Sequence, residues 1–345
     1  MRAAYHGGGR AKRRSRRTGS ISRWSVSGRR SANACCLSWG WARKAQVKAN
    51  GIDIEVERFG PEERECVLLI MGVGAQMTLW PAELCEELVA RGYHVVRFDN
   101  RDVGLSHKFD DKGVPDMTAL LTALMSGATP DAPYALDDMA ADAVGVLDAL
   151  GIKKAHIVGA SMGGMIAQLV AALYPERTLS LTSIMSTTGN PELPQAKPEA
   201  MAALTAPAAD PSDLEAVVQR GMHTWKTIGS PAFPTSDEQL REWILRDFHR
   251  SFHPDGMVRQ MAAILSNGDR RARLAGVTAP TVVLHGEDDP LVPIEGGKDT
   301  AASIKGAELV AVKGMGHDFP LSLVGTFADA IEKAARRAGQ AQAAE

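Results

Sequence analysis

Three side chains in this sequence are of the types that together can cleave an acyl bond: Ser161, Asp289 and His317. A serine hydroxyl is a poor nucleophile until a base removes its proton, and imidazole titrates near the working pH. A carboxylate beside the imidazole sets its tautomer and stabilises the cation that forms. Ser161 lies in Gly159-Ala160-Ser161-Met162-Gly163, where side chains at either glycine would collide across a sharp strand-to-helix bend. Such a bend presents Oγ at a helix N-terminus, where free N–H groups can hold an oxyanion. Gly-x-Ser-x-Gly also arises by chance in Gly/Ala-rich chains. Here the apolar run Ala155 to Val158 supplies the strand before it, and Met162 to Tyr174, stopped by Pro175, supplies the helix after it.

The elements that must position these residues can be read in order. Ala45 to Ala49 and Ile52 to Arg58 flank Asn50-Gly51, a hairpin signal. Cys66 to Met71 is a continuous apolar run suited to a buried parallel strand. A helix from Pro81 to Arg91 and a strand from His94 to Phe98 follow, then a loop or short irregular helix over 107–134. Tyr134 to Leu150 places Leu136, Met139, Ala140, Ala143, Leu147 and Leu150 on one helical stripe. Leu179 to Met185, Thr281 to His285 and Glu308 to Val312 read as further strands, and a closing helix carries Leu323, Phe327 and Ile331. Strands alternating with helices predict an α/β fold with a mostly parallel central sheet flanked by helices. Ligands then bind beyond the carboxyl ends of the strands, where Met71 to Gly74, Ser161, Glu287 to Asp289 and His317 all fall.

The chain from Ala45 to Arg337 resembles the α/β-hydrolase family, and within it the esterase branch that includes aclacinomycin methylesterase-like proteins. Three segments carry the resemblance: Met-Gly-Val-Gly-Ala-Gln-Met-Thr-Leu-Trp-Pro at 71–81, Arg-Phe-Asp-Asn-Arg-Asp-Val-Gly-Leu-Ser at 97–106, and Gly-Ala-Ser-Met-Gly-Gly at 159–164. The order Ser161, Asp289, His317 is also the triad order of that family. The resemblance implies Ser161 as nucleophile, His317 as base and Asp289 as acid, with Asp288 the neighbouring alternative and Glu287 less favoured. It implies an oxyanion hole made by the backbone N–H of Met162 and one from the 71–74 loop, assigned to Val73. Many relatives carry His-Gly where this chain has Met71-Gly72; a backbone donor survives that change. Asp99 and Arg101 match a family element and are read as fixing a loop. The expected function is hydrolysis of a small-molecule carboxylic ester through an acyl-enzyme on Ser161. Lactonase, C–C hydrolase and perhydrolase activities are alternatives on the same triad.

The predicted organisation is a basic extension over 1–44, core over 45–187 and 276–345, and a helical cap insertion over 188–275. Five prolines between Pro191 and Pro211, then helical patterns and a capping box at Ser236-Asp237-Glu238-Gln239, mark the insertion. Trp225, Met222, Trp243 and Met261 are candidate pocket residues there; at helical spacing they could equally form the insertion's own core. His156, His223, His249, His253 and His285 show no ligand spacing and are read as structural or exposed.

Formal net charge is −2, yet residues 1–44 hold twelve Lys or Arg and no acid, leaving 27 basic against 41 acidic residues beyond them. An acidic body argues against nucleic-acid binding. The leader is Arg/Ser-rich like a transit peptide; the pair Arg16-Arg17 lacks the apolar run of a twin-arginine signal. It is read as an extension upstream of the fold. Four cysteines, Cys35, Cys36, Cys66 and Cys85, show no metal or disulfide spacing, so a reducing, cytoplasmic location is expected. No apolar run is long enough to span a membrane. No metal or organic cofactor is implied. Two rivals come from other classes. A ligand receptor could keep the triad, and Gly72-Val73-Gly74 followed by Asp99 imitates a dinucleotide site, although Met77 stands where its third glycine belongs.

Overall fold

The continuous apolar runs become the buried strands of one sheet. In the computed structural model, which describes residues 42–344, the first half comprises β1 (Arg43–Ala49), β2 (Ile52–Phe59), β3 (Cys66–Ile70), α1 (Ala82–Ala90), β4 (His94–Phe98), α2 (Met117–Met125), α3 (Leu136–Ala149), β5 (Ala155–Ala160), α4 (Met162–Leu173) and β6 (Thr178–Ile184). Five helices then intervene: α5 (Pro198–Thr205), α6 (Leu214–Ile228), α7 (Asp237–Arg250), α8 (Pro254–Asn267) and α9 (Arg271–Leu274). The chain closes with β7 (Thr281–Gly286), α10 (Ile294–Ser303), β8 (Glu308–Val312) and α11 (Val324–Ala344). β1 begins at Arg43, so Arg43 and Lys44 belong to the sheet and not to the basic extension. The rest of that extension, with Cys35, Cys36 and the targeting readings, lies outside the described residues.

The strand order is β1-β2-β4-β3-β5-β6-β7-β8. β1 pairs with β2, and β2 with β4, in antiparallel fashion; the remaining neighbours are parallel. Asn50 and Gly51 turn the first hairpin with φ of 48° and 81°, the left-handed pair a two-residue turn requires. β3, β5 and β7 are buried at every residue because helices cover both faces. Alternate side chains point to opposite faces. Leu68, Ile70 and Ile157 meet Leu147 of α3 and Ile166 of α4 on one side. Val67, Leu69 and Val158 meet Leu84 of α1 and Phe327 and Ile331 of α11 on the other. Each such aliphatic side chain contributes roughly 1.5–3 kcal/mol when removed from water.

The 107–134 stretch contains α2, capped by Asp116, whose carboxylate accepts from Thr118 N and Ala119 N. Only Leu120 on this helix is buried, so it lacks the apolar stripe that marks α3. The helices between β6 and β7 dock on the loops after β3 and β4. Gln76 Nε2 donates to the carbonyls of Asp247 (2.6 Å) and Ser251 (2.9 Å), and Arg250 pairs with buried Asp99 at 2.7 Å. Gln260 bridges both loops, accepting from Gly74 N at 2.8 Å and donating to Arg101 O at 2.7 Å. Ser236 caps α7 by accepting from Gln239 N. No helix among the described residues is long and apolar enough to cross a membrane.

Besides His317, three imidazoles among the described residues are enclosed: His94 at the start of β4, His156 in β5 and His285 in β7. Burial lowers the pKa of each below the ordinary imidazole value. Folding therefore favours their neutral forms. The stability they contribute is fully present above about pH 6.5 and is lost as pH falls through their folded values. The urea midpoint should accordingly fall between about pH 6.5 and pH 5, above the values where ordinary carboxylates titrate. An unchanged midpoint across that interval would contradict three neutral buried imidazoles.

Candidate active site

Ser161 occupies the junction of β5 and α4 with φ 56° and ψ −123°, a conformation L residues rarely adopt. Such strain costs about 1–3 kcal/mol and persists only where the surroundings enforce it. The enforcement is visible in the glycines. A methyl group at Gly159 would overlap the Gly163 carbonyl, and one at Gly163 would overlap the Ile70 carbonyl at the end of β3. Ser161 N donates to Ile184 O at 3.0 Å, and Ser186 Oγ donates to Ser161 O at 2.8 Å, so β6 grips the bend from the far side.

The loop after β3 runs alongside. A Cβ at Gly72 would lie 3.1 Å from Ser161 Cβ and 3.6 Å from its Oγ, so any side chain there would crowd the serine. Asn100 Nδ2 holds the start of the loop by donating to Met71 O at 2.8 Å. Gly74 N is committed to Gln260, whereas Val73 N has no backbone acceptor among the described residues. Met162 N belongs to the first turn of α4 and has no acceptor inside the helix. Asp99 is fully buried; it accepts from Met77 N (2.8 Å) and Leu105 N (2.9 Å) and pairs with Arg250. Enclosed and bonded to these partners, its carboxylate serves the protein's own loops and is not presented to the ribose of a dinucleotide.

At the far end of the same edge, Asp289 follows β7 and His317 follows β8. Asp289 Oδ1 accepts from Leu291 N (2.9 Å) and Val292 N (2.8 Å), while Oδ2 lies 2.7 Å from His317 Nδ1. An ionised carboxylate only accepts, so Nδ1 carries the proton and Nε2 presents a lone pair. Asp288 points elsewhere, accepting from Gly314 N at 2.8 Å, and Glu287 is exposed. No hydrogen bond joins Ser161 Oγ to His317 among the described residues; unliganded sites often close this link only around substrate.

Two neighbours escape sequence reasoning. His285, fully buried in β7, has Nε2 2.7 Å from Val292 O and 3.7 Å from Asp289 Oδ2, so it braces the turn that carries Asp289. Met257 is the α8 side chain that meets the loop after β3: a Cβ at Gly74 would fall 2.9 Å from its Cγ. Met261, the α8 candidate chosen from sequence, lies one helical turn further on. Met222, Trp243 and Met261 are half-buried and join none of the three apolar clusters. Trp225 packs with Ala200, Ile228 and Leu291, beside the acid-bearing turn. Among the described residues no group of three or more His, Cys, Asp or Glu is placed to hold a metal ion. Burial pushes the Cys66 thiol well up and that of Cys85 up to about 11, so neither is poised as a thiolate.

An eight-stranded, mostly parallel sheet with a glycine-framed serine bend after β5 and an Asp–His pair beyond β7 and β8 defines the α/β-hydrolase architecture. The model of the alpha/beta hydrolase fold family matches residues 65–322, and the chain belongs to that family. It is similar to rhodomycin D methylesterase DnrP of Streptomyces peucetius, 32% identical over 286 residues that cover 77% of this chain and 89% of the relative. Among solved structures it is similar to the enol-lactonase of Burkholderia xenovorans LB400, with TM-score 0.61 and 21% identity over 84% of this chain and 99% of that one. It is also similar to the meta-cleavage product hydrolase of Pseudomonas fluorescens IP01, with TM-score 0.66 and 18% identity over 85% and 98%.

Proposed function

We propose that this protein is a serine hydrolase of a small-molecule carboxylic ester, with a methyl ester of an apolar acid as the favoured substrate class. The observation that carries the reading is the buried Asp289–His317 pair, 2.7 Å apart, on the sheet edge where the backbone bends sharply at Ser161. Similarity to a protein named a methylesterase, at 32% identity over 89% of its length, favours an ester over the other bonds this fold cleaves.

In this mechanism His317 Nε2 takes the hydroxyl proton as Ser161 Oγ attacks the ester carbonyl carbon. The developing oxyanion accepts hydrogen bonds from Met162 N and Val73 N, which are fixed before substrate arrives. The bond to the alkoxy oxygen then breaks as Nε2–H protonates the departing alcohol, leaving an acyl group on Ser161. Water, giving its proton to Nε2, attacks the acyl carbon; the acid leaves and the serine regains its hydrogen. Asp289 keeps the imidazole in the tautomer that permits each transfer and stabilises the imidazolium between them. Trp225, near the acid-bearing turn through Leu291, is the pocket candidate with the best structural support.

The experiment is a panel of aryl and polycyclic methyl esters, acyl lactones and 2-hydroxy-6-oxo-dienoates, followed by methanol release, acid release or chromophore loss. Methyl esters should be turned over with kcat/KM at least about tenfold above the lactones and dienoates, a difference of about 1.4 kcal/mol in barrier. Faster cleavage of a lactone or a C–C bond would replace the ester reading while keeping the same three residues.

A further inference from the structure

The loop that carries His317 is held from the side of the α5–α9 segment as well as from the sheet. The core's own grip includes the Asp289–His317 contact at 2.7 Å, Asp288, which accepts from Gly314 N at 2.8 Å, and the Met315 carbonyl, which accepts from Asp288 N at 3.1 Å. The C-terminal end of α6 and the loop that follows it add four more bonds. Ala232 N donates to Gly314 O (3.1 Å), Gly316 N to Ser230 Oγ (2.9 Å) and His317 N to Ile228 O (2.7 Å), while the Ser230 hydroxyl donates to Asp318 Oδ1. The two backbones touch directly: a side chain at Gly316 would overlap the Gly229 carbonyl.

Ser230 is the centre of this contact. One hydroxyl accepts from the residue before His317 and donates to the residue after it, using one of its two lone pairs and its only proton. Both partners are enclosed, with Ser230 3% and Asp318 8% exposed. Burial, with the nearby Asp289, pushes the Asp318 carboxyl up, and the Ser230 hydroxyl and backbone N–H oppose that rise. Losing the hydroxyl would leave the buried Gly316 N–H without its acceptor and the buried Asp318 carboxyl with only the Ser230 backbone N–H, on either side of His317. The Oγ of Ser230 is too enclosed to touch substrate, so its influence must pass through His317.

We propose that Ser230 is a positioning residue for His317, and that through it the helical segment between β6 and β7 holds the catalytic base as well as lying over the site. This rests on the reading of Ser161 and His317 as nucleophile and base. A displacement of about 1 Å in a reacting group costs on the order of 100-fold in rate. Ser230→Ala should therefore lower kcat by about 10- to 100-fold while KM stays within about threefold. Ser230→Thr restores both hydrogen bonds and should recover most of kcat, which a loss of packing would not permit.

The test measures kcat and KM of the full chain on p-nitrophenyl butyrate for wild type, Ser230→Ala, Ser230→Thr and Ser161→Ala, with circular dichroism and urea midpoints for each. If Ser230→Ala does not fold, Ser230→Cys keeps the side chain near its size with a weak donor and acceptor, and should lose about 5- to 20-fold in kcat at similar KM. Wild-type kcat in the folded Ala or Cys variant overturns the proposal, as does a Thr variant no better than Ala. A wild-type protein without esterase activity, or a Ser161→Ala protein with the wild-type rate, would instead overturn the underlying reading of the site.

Discussion

Ser161→Ala should remove ester turnover, lowering kcat by about 10⁵-fold or more, while the protein unfolds within about 1 kcal/mol of wild type. The large kinetic effect follows from the loss of the only oxygen that can form the acyl intermediate in the proposed mechanism. The small stability effect follows from the bend itself. Its positive φ is already imposed on a residue with a Cβ, so alanine adds no backbone strain that serine lacks. The Ser161 side chain caps no N–H of α4, so removing the hydroxyl orphans no helix donor. Single-turnover mass spectrometry with a slow ester should find an acyl adduct on wild type and none on the variant. Retention of the wild-type rate in a folded Ser161→Ala protein would refute nucleophilic catalysis at this serine.

Asp289→Asn should cost about 10⁴-fold in kcat with little change in fold. The geometry explains why an isosteric change is so damaging. Oδ1 accepts two backbone N–H groups, from Leu291 and Val292, at 2.9 and 2.8 Å, so the asparagine carbonyl must occupy that position. The amide NH₂ then faces His317 Nδ1, 2.7 Å from the present Oδ2, and becomes a donor. Nδ1 must now accept, which moves the imidazole proton to Nε2, the atom that should take the hydroxyl proton of Ser161. The same substitution at Asp288, whose carboxylate accepts from Gly314 N and makes no contact with His317 among the described residues, should leave kcat within about tenfold of wild type. Equal losses at both positions would show that the turn as a whole matters and that Asp289 has no separate role.

The contrast between those adjacent aspartates shows where sequence reading stops. Glu287, Asp288 and Asp289 are equivalent in type and adjacent in the chain, and the family pattern alone favours the third. The direction of each side chain depends on how the turn after β7 packs against the loop after β8. His285 was likewise readable only as a strand residue; its place under the acid depends on the bend at Asp289 bringing the Val292 carbonyl back to it. In α8 the sequence points to Met261, yet Met257 reaches the loop after β3, because the helix's rotation about its axis is set by Gln260 and Arg259 anchoring to Gly74, Arg101 and Asp102. The stretch around α2 was hard to assign for the opposite reason: a helix with one buried residue leaves almost no periodic signal.

The sequence by itself determined the alternation of buried strands and amphipathic helices, the order Ser161, Asp289, His317, and the need for glycine at 159 and 163. Those properties are local, since strand burial, helical periodicity and steric room at a bend are set by neighbours in the chain. Only the tertiary structure decided that Asp289 and not Asp288 faces His317, that Gln260 takes the Gly74 N–H while Val73 has no backbone acceptor among the described residues, and that Ser230 bonds to the residues on both sides of His317. Each depends on contacts between segments far apart in sequence, whose relative rotation and depth no local pattern encodes.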